Sequence, residues 1–313
     1  MSRIVVVGAG AFGTALACHY ALAGRQTALW GRNTLALRET RTSSHLQGFA
    51  LPRSLEILER LDLRRSDTLL LAVPMQALDP WLKDFKPRVR TMIACCKGLD
   101  LKRLAGPSQL IAPYATECYG VLTGPSFAID LAQGLPTALT LAVNDLNNGM
   151  EAQEHLSTCT MRLYLTQDMI GAEIGGALKN VVAIACGAAI AAGFGESARA
   201  ALVARGLSEM SRFSQALGGR FETLQGLSGL GDLTLTCTSE KSRNYRAGLA
   251  LASGEAMPQT TIEGIATTQA VLAKAQSLGL EMPIAKAVWM VADRQKSVSE
   301  ALADLLERPL IQE

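Results

Sequence analysis

The sequence predicts an α/β fold in which a doubly wound, mostly parallel sheet is followed by an all-helical C-terminal domain. In the first half, short apolar or β-branched runs alternate with segments of helical periodicity, which indicates βαβ units. Beyond Asp168 the strand signals end, and segments rich in alanine, leucine and glycine follow. Because 313 residues suit about two domains, we expect one at residues 1–169 and the other at residues 170–313.

The periodicities also predict the order of the elements. The apolar run at residues 67–73 has no polar face, as in a parallel strand covered by helices on each side. Strands are expected at residues 2–7, 26–30, 67–73, 91–96, 119–122, 138–143 and 162–165. Helices are expected at residues 13–22, from near Asn33, and at residues 75–85, 170–192, 198–217, 267–278, 284–294 and 299–306.

The composition excludes several classes of protein. The 30 Lys and Arg residues against 28 Asp and Glu residues leave a formal charge of +2, too balanced for a nucleic-acid-binding surface. The longest uncharged apolar stretch, residues 181–194, is shorter than the ~20 residues that cross a bilayer, and the N-terminal apolar run is too short for a secretory signal. Seven cysteines without C-x-x-C spacing indicate reduced thiols, and the three histidines lack metal-ligand spacing. We therefore expect a cytoplasmic protein with no metal, no membrane span and no nucleic-acid partner.

A G-x-G-x-x-G pattern at residues 8–13 follows the first predicted strand and opens the first helix. In this context Gly8 permits a tight turn, Gly10 lets a pyrophosphate approach the backbone, and Gly13 lets the helix pack closely on the strand. The helix N-terminus then faces the phosphate charge. The pattern predicts a Rossmann-type dinucleotide-binding domain, and the alternative is an ordinary turn between a strand and a helix.

The end of the second strand bears on which dinucleotide binds. A site specific for NAD usually places Asp or Glu there, about 20 residues after the glycines, to bond the adenosine ribose. Residues 30–33 offer Arg32 and no carboxylate. Since a guanidinium attracts a 2′-phosphate, we expect NADP(H) to be preferred and NAD(H) to be possible. The alternative is that Arg32 is a solvated loop residue.

Two further segments follow buried strands, where open α/β sheets place their ligands. Lys97 comes just after the strand at residues 91–96 and can contact an anionic substrate or the cofactor, although a lone lysine is more often a surface residue. Gly124 and Ser126 follow the next strand and would expose backbone and hydroxyl groups to a ligand, although Gly-Pro-Ser is also turn chemistry.

In the second half, Lys179 lies among small and apolar residues on the first long helix. Burial among such neighbours lowers the pKa of an ammonium group toward the range where it exchanges a proton at neutral pH. Asp232 is placed where its carboxylate can accept a hydrogen bond from that ammonium. Ser242, Arg243 and Asn244 bring together a hydroxyl, a guanidinium and an amide, which form a candidate phosphate site. The alternatives are a lysine whose amine reaches solvent from a helix interface and an elaborate helix N-cap.

At these segments the chain resembles the bacterial NAD(P)-dependent glycerol-3-phosphate dehydrogenases. The lysine helix and the Ser-Arg-Asn string are specific to that family, whereas the glycine pattern is not. The matching strings occur in the family's order from residue 8 to residue 264. They are the glycine pattern at 8–13, Lys-Gly-Leu at 97–99, Thr-Gly-Pro-Ser-Phe-Ala at 123–128, Gly-Ala-Glu-Ile-Gly-Gly-Ala-Leu-Lys-Asn-Val at 171–181, Gly-Leu-Gly-Asp-Leu at 229–233, Thr-Cys-Thr-Ser at 236–239, Ser-Arg-Asn at 242–244 and Ile-Glu-Gly at 262–264.

The resemblance implies a role for each matching residue. Lys179 and Asp232 are implied to be catalytic, with Lys179 as proton donor and acceptor. The implied substrate-binding residues are Lys97, Gly124, Ser126, Lys179, Asp232, Ser242, Arg243 and Asn244. The cofactor-binding residues, taken with the glycines, are Gly8, Gly10, Ala11, Phe12, Gly13, Arg32, Lys97, Ala128, Arg243 and Glu263.

Several positions depart from the family's pattern. Ala11 stands where the family often has Ser, Cys96 replaces the usual Thr, and Met75 replaces a common Ser. The stretches at residues 98–123 and 245–262 are short for the family. We expect these differences to affect loop geometry and cofactor affinity rather than the reaction.

The residues and the resemblance together predict an oxidoreductase that reversibly reduces dihydroxyacetone phosphate to sn-glycerol 3-phosphate, with Lys179 as general acid and base. The resemblance also implies a supply of glycerol 3-phosphate for phospholipid synthesis and a homodimer, which the apolar helices of the second domain favour. Two alternatives are a two-domain dehydrogenase acting on 3-hydroxyacids or sugar acids, and a cofactor-binding redox sensor without turnover. A carboxylate substrate would leave residues 242–244 without a phosphate, and a sensor would leave Lys179 and Asp232 unexplained.

Overall fold

The computed structural model describes residues 2–255 and 262–306. Residues 256–261, which fall in the stretch 245–262, thus lie outside the described residues. Contacts divide the described chain into two compact units. The first runs up to Lys97 and resumes at Ala105–Ala172, whereas the second comprises Gly98–Leu104 and the chain from Glu173 onward.

The first unit is built on a single eight-stranded sheet. Its strands are β1 (Ile4–Val7), β2 (Thr27–Trp30), β3 (Glu56–Ile57), β4 (Thr68–Leu71), β5 (Val89–Ala94), β6 (Ala115–Thr123), β7 (Thr137–Val143) and β8 (Met161–Thr166). Their order in the sheet is β3-β2-β1-β4-β5-β6-β7-β8. All neighbouring pairs are parallel except β6 and β7. The predicted mostly parallel sheet is confirmed, while the antiparallel pair and the two-residue β3 were not predicted.

Helices cover both faces of this sheet. They are α1 (Ala11–Leu22), α2 (Leu35–Thr40), α3 (Met75–Phe85), α4 (Pro107–Ile111), α5 (Ala128–Ala132) and α6 (Leu146–Leu156). Residues of α1, α5 and α6 form one apolar core with Ile4 and Val6 of β1, and residues of α3 and α4 form a second core with Val5 and Val7. Burial of alternate residues on opposite faces explains why the central strands are continuous apolar runs.

The strand order reverses at β1, which has β2 on one side and β4 on the other. Ligands of doubly wound sheets bind at such a switch point, beyond the carboxyl ends of the strands. The predicted glycine turn is the turn that follows β1. Because β1, β4, β5 and β6 are mutually parallel, the turns that follow them open at the same edge of the sheet.

The second unit contains no strand among its described residues, which confirms the predicted all-helical second half. A π-helical turn, Leu227–Gly231, lies between two of its short helices and was not predicted, and neither were the helices at Phe221–Gln225, Asp232–Cys237 and Arg243–Ser253. The helices are α7 (Met169–Ala191), which begins in the first unit, α8 (Gly195–Ala216), α9 (Phe221–Gln225), α10 (Asp232–Cys237), α11 (Arg243–Ser253), α12 (Glu263–Ser277), α13 (Pro283–Ala292) and α14 (Val298–Leu306).

Glycines let α7 and α11 pack closely together. A Cβ on Gly187 would lie 2.1 Å from the backbone oxygen of Tyr245, and a Cβ on Gly248 would lie 2.1 Å from that of Ile184. By length and composition, α7 is also the one helix of the described chain that could cross a membrane. Of its most apolar window, however, 83% is buried within the protein, as is typical of a core helix.

Candidate active site

The turn between β1 and α1 depends on two of its glycines. Gly8 has a φ of +114°, and a Cβ there would lie 2.5 Å from the backbone oxygen of Ala72. A Cβ on Gly13 would lie 2.0 Å from the oxygen of Gly8. Neither position accepts a larger residue unless the backbone moves, so the first turn of α1 lies directly on the end of β1.

Gly10, the N-cap of α1, is not constrained by packing, because a Cβ there would meet nothing within 4 Å. The backbone is therefore open on that side. The first-turn N–H groups of Ala11, Phe12 and Gly13 have no acceptor within the helix. A pyrophosphate needs close approach to the backbone and N–H donors at a helix N-terminus, so these residues fit a dinucleotide. Ala11 brings no side-chain hydroxyl to this turn, but its N–H remains a donor.

The end of β2 carries no carboxylate. Trp30 packs edge-on against Phe85, with 5.1 Å between the ring centroids. Gly31 lies against Ala9 of the glycine turn, where a Cβ would come to 2.8 Å from the Ala9 side chain. Arg32 is the next residue and is exposed. Arg32 is thus exposed and directly follows Gly31, the residue that contacts the glycine turn.

The other predicted residues of the first unit lie at the same edge of the sheet. Lys97 is half-buried just after β5, and Gly124 follows β6 with a φ of +138°. The Ser126 hydroxyl donates to the Gly124 carbonyl at 3.3 Å, and Ala128 is the first residue of α5. The structure therefore brings these four residues to the edge that also carries the glycine turn.

In the second unit, Lys179 and Asp232 form a buried ion pair. Lys179 Nζ donates a hydrogen bond to Asp232 Oδ1. The lysine side chain is 8% exposed and the aspartate side chain is fully buried. Burying either charge alone would be costly, so each stabilises the other. This is the contact that the sequence predicts between an ammonium group and the Asp232 carboxylate.

The π-helical turn Leu227–Gly231 immediately precedes Asp232. It is closed by a hydrogen bond from the Gly231 N–H to the Gly226 carbonyl, five residues back, at 3.1 Å. A Cβ on Gly175 would lie 2.1 Å from a backbone oxygen of this turn, so the turn packs directly on α7. Turns of this kind are rare and are often found at functional sites.

The Ser-Arg-Asn string begins α11. Ser242 is the N-cap, and its Oγ accepts a hydrogen bond from the Tyr245 N–H at 3.2 Å. Arg243 is exposed, whereas Asn244 is buried and its Oδ1 accepts from the Gly264 N–H at 3.1 Å. The alternative of a helix N-cap is therefore confirmed for Ser242, whose own hydroxyl hydrogen can still be donated.

The start of α12 lies against α7 beside the lysine. A Cβ on Gly264 would lie 2.9 Å from the backbone oxygen of Asn180 and 2.9 Å from Asn244 Oδ1. Glu263, the first residue of α12, is half-buried. The N-termini of α11 and α12 therefore both lie next to the part of α7 that carries Lys179.

Two residues of this site were not predicted. Asn180 is buried beside Lys179, and the buried Cys237 interacts electrostatically with both Lys179 and Asp232. A hydrogen bond with Cys186, together with burial, raises the pKa of the Cys237 thiol well above its usual range, so Cys237 is a neutral neighbour of the ion pair. Asn180 could have been predicted, because an amide next to a lysine on an apolar helix is unusual. Nothing in the sequence connects Cys237 to α7.

Enzymes that transfer hydride with NAD(P) commonly combine a doubly wound sheet with a glycine turn at its switch point, and this protein is of that class. Comparison with known proteins narrows the class. Residues 3–149 match the family model for the N-terminus of NAD-dependent glycerol-3-phosphate dehydrogenase, and residues 168–303 match the model for its C-terminus. The chain belongs to the NAD-dependent glycerol-3-phosphate dehydrogenase family, as the sequence predicts.

Similarity extends over the whole chain. Glycerol-3-phosphate dehydrogenase (NAD(P)+) of Paracoccus denitrificans is 52% identical over 316 residues, covering 99% of this chain and 99% of the other. The protein of the same name from Roseobacter denitrificans is 48% identical and covers 98% of this chain and 99% of its own. The crystal structure of glycerol-3-phosphate dehydrogenase from Coxiella burnetii has a TM-score of 0.89 at 34% identity, covering 98% of this chain and 99% of that one.

Proposed function

We propose that this protein reversibly reduces dihydroxyacetone phosphate to sn-glycerol 3-phosphate, with NADPH preferred and NADH possible. The relatives that are 48–52% identical are named for the glycerol-3-phosphate dehydrogenase activity. The observation that carries the proposal is the buried pair of Lys179 and Asp232. Reduction of a ketone requires a proton donor, and a buried ammonium held by a carboxylate is suited to that task.

Lys179 is the general acid in this reaction. Negative charge develops on the ketone oxygen during reduction, and a preorganised positive group in a buried site stabilises such charge strongly. Asp232 positions the ammonium by accepting its hydrogen bond. In the reverse direction, the neutral amine takes the proton of the C2 hydroxyl. A bound reduced nicotinamide cofactor would supply the hydride for the reduction, and its oxidised form would accept hydride in the reverse direction.

The substrate phosphate is assigned to the start of α11. Arg243 is exposed there and offers forked donors, and the free N–H groups of a helix N-terminus favour an anion. Ser242 and Asn244 flank it, and Asn244 is fixed by its bond to the Gly264 N–H. Further proposed substrate contacts are Lys97, Gly124 and Ser126.

For the cofactor, we assign residues 1–169 as the dinucleotide-binding domain and residues 170–313 as the substrate and catalytic domain. Preference for NADPH is supported by the exposed Arg32 and by the absence of Asp and Glu from residues 30–33. The proposed cofactor contacts are Gly8, Gly10, Ala11, Phe12, Gly13, Arg32, Lys97, Ala128, Arg243 and Glu263.

The test follows NADPH absorbance after dihydroxyacetone phosphate is added. Loss of absorbance that requires both the protein and this ketone is the expected result. Faster turnover of a 3-hydroxyacid or sugar acid would instead show the related dehydrogenase, and NADPH binding without turnover would show the redox sensor. Values of kcat/KM for NADPH and NADH, measured side by side, test the cofactor preference, which equal or better turnover with NADH would contradict.

We also infer a cytoplasmic homodimer that supplies glycerol 3-phosphate for phospholipid synthesis. All seven cysteines are free thiols, as suits a reducing compartment. Exposed apolar residues of the helical unit, such as Phe194 and Leu230, are available for a second subunit. Light scattering on the purified protein tests the dimer, since a monomer mass at working concentration would exclude it.

A further inference from the structure

A cavity of about 380 Å³, lined mostly by polar and charged residues, lies in the first unit, at the amino ends of the strands. Ser2, which lines it, precedes β1, whereas Gly8 follows β1. Gly8 is six residues further along the chain, which is about 20 Å in an extended strand. The cavity is therefore at the opposite end of the sheet from the glycine turn, and no role proposed above uses it.

The floor of the cavity is a row of small polar side chains. Thr68 of β4, Thr91 of β5 and Cys118 of β6 are paired side by side in the parallel ladder. Ser2 Oγ continues the row, 3.2 Å from Thr68 Oγ1. Central parallel strands covered on both faces normally carry aliphatic residues here. Cys118 still belongs to the apolar core, whereas Thr68, Thr91 and Ser2 bring hydroxyl groups to the floor of the cavity.

Thr91 has an unused hydroxyl in this floor. The residue is 8% exposed and lines the cavity, and its Oγ1 makes no hydrogen bond to any part of the chain that the structure describes. A hydroxyl at the wall of a cavity that has no partner in the protein is satisfied by water or by a ligand there. This side chain is the observation that indicates a ligand site.

The charges on the walls nearly compensate one another. Arg90 donates to Glu117 and to Glu151, at 2.6 Å in each case. Arg25 and Glu154 add one charge of each sign. Two guanidinium groups thus face three carboxylates, an arrangement that would repel a phosphate. No group of three or more His, Cys, Asp or Glu side chains within residues 2–255 and 262–306 could hold a metal ion.

His155 adds a polar ring to the wall. Its Nε2 is 3.2 Å from Ser2 Oγ. Burial, aided by the charge of Arg25, holds the pKa of His155 below its usual range. The ring is therefore neutral at physiological pH, and together with Ala152 it offers an apolar surface beside the polar groups.

We propose that this cavity binds a small neutral polyol, in the size range from glycerol to a six-carbon polyol. Each hydroxyl group of a polyol can both donate and accept. It therefore matches the threonine and serine hydroxyls of the floor, the guanidinium donors and the carboxylate acceptors at once. Such a ligand brings no charge into a site whose own charges nearly balance. The C–H groups of the ligand would lie against Ala152 and the His155 ring.

Saturation-transfer NMR on the full-length protein tests this, with glycerol, ribitol and myo-inositol as probes. At least one of the three is expected to bind saturably. Thr91→Val removes the hydroxyl at constant shape and is expected to weaken that binding about fivefold, the effect of one hydrogen bond. Thr91→Ser keeps a hydroxyl and is expected to restore the binding.

Thr140→Val is the matched control. Thr140 lies on β7 and is 7% exposed, but its neighbours along the strand, Leu139 and Leu141, belong to the core on the face that carries Thr91, so Thr140 points to the other face. The comparison separates the cavity from polyol binding elsewhere in the protein. The proposal is overturned if none of the three probes saturates, if Thr91→Val and Thr140→Val bind alike, or if inorganic phosphate proves to be the Thr91-dependent ligand.

Discussion

At the scale of single residues, Lys179 combines two properties that a surface lysine lacks. Its ammonium is buried, and a fully buried carboxylate fixes the direction of its hydrogen bond. The proposed chemistry therefore depends on one nitrogen whose position is set by α7 and by Asp232. A second cation elsewhere on the helix could not take its place, because the carboxylate would not reach it.

Lys179→Ala is expected to lower kcat for dihydroxyacetone phosphate reduction by about 10²–10⁴-fold, the usual contribution of a general acid. The dissociation constant for NADPH should change little, because the glycine turn is intact. Stopped-flow kinetics and fluorescence titration measure the two quantities. Lys286→Ala, at an exposed position of α13, is the control and should retain full activity. Near-normal turnover of a folded Lys179→Ala protein would remove the assigned role.

Arg32→Glu tests the cofactor preference. A carboxylate at this position repels a 2′-phosphate and can bond ribose hydroxyls, so the KM for NADPH should rise at least about tenfold while that for NADH falls or stays constant. Steady-state kinetics with each cofactor measure this. Arg32→Gln, which removes the charge without adding a new one, should give an intermediate result. Equal effects on both cofactors would mean that Arg32 does not contact the 2′-phosphate.

Single residues were predictable where their surroundings in the chain were unusual. Lys179 stood out because it interrupts an apolar helix, and Arg32 because a carboxylate was missing around it. Cys237 was not predictable, because its proximity to Lys179 arises from contacts between helices far apart in sequence. Ser242 was ambiguous, since the same hydroxyl that suits a phosphate site also caps a helix, as it does here.

At the scale of elements, α8 and α13 are joined by a buried carboxylate. Glu209 on α8 accepts hydrogen bonds from the Ile284 N–H at 2.9 Å and the Ala285 N–H at 3.0 Å. These N–H groups belong to the first turn of α13, which has no side-chain N-cap of its own. A negative charge at a helix N-terminus is stabilising, so this contact both caps α13 and fixes it on α8.

Glu209→Gln is therefore expected to lower the free energy of unfolding by about 1–3 kcal/mol, because one acceptor oxygen is replaced by a donor that faces an N–H. Urea unfolding followed by circular dichroism measures the change. Glu240→Gln, at an exposed position, should leave the free energy of unfolding unchanged. An equal response of the two variants would show that the capping contact does not stabilise the second unit.

Elements with strong periodicity were predicted well, and irregular ones were not. Long α7 and the apolar strands follow directly from the residues that form them. Helix α6 contains Asn147, Asn148 and Gly149, which disfavour helices. It forms nonetheless because Asp145 caps it, with its side chain accepting from the Asn148 N–H, and because Ala152 and Leu156 pack in the core. The reversed direction of β7 follows from tertiary pairing with β6, which local sequence does not encode.

At the scale of the whole molecule, a buried histidine makes stability depend on pH. His19 is buried in the first unit, where Nδ1 is 3.3 Å from the Leu131 carbonyl and Nε2 is 2.8 Å from the Thr158 hydroxyl. Desolvation lowers the pKa of His19 below the usual 6.5, despite the opposing bond to Leu131. The folded protein thus favours the neutral ring. The stability that the neutral His19 ring contributes is fully present above pH 6.5 and is lost as the pH falls through the folded-state pKa.

His19→Gln should therefore reduce the loss of stability that occurs as the pH falls. Between about pH 7.5 and about pH 5 the melting temperature of the variant is expected to fall less than that of the natural protein, whatever its absolute value. Differential scanning calorimetry at several pH values measures this slope. His45→Gln is the control, because His45 is exposed. Parallel slopes for all three proteins would show that His19 does not titrate with unfolding.

The overall organisation was largely accessible from sequence because its two halves differ in periodicity. Alternating strands and helices define the first unit, and helical periodicity alone defines the second. The grouping of Gly98–Leu104 with the second unit was not accessible, because that grouping is a matter of spatial contacts and the segment carries no distinctive composition. The polar row formed by Thr68, Thr91 and Cys118 likewise becomes visible only when the register of three strands is known.

The widened turn before Asp232 implies that segment length matters there as much as residue identity. Each residue of an α-helix advances the chain by about 100° around the axis. Deleting one residue from Leu227–Gly231 would let ordinary helical winding resume and would swing the Asp232 carboxylate through roughly that angle. Both residues of the ion pair would still be present, yet the Asp232 carboxylate would no longer face Lys179. The number of residues in this segment therefore determines whether the Asp232 side chain points toward Lys179.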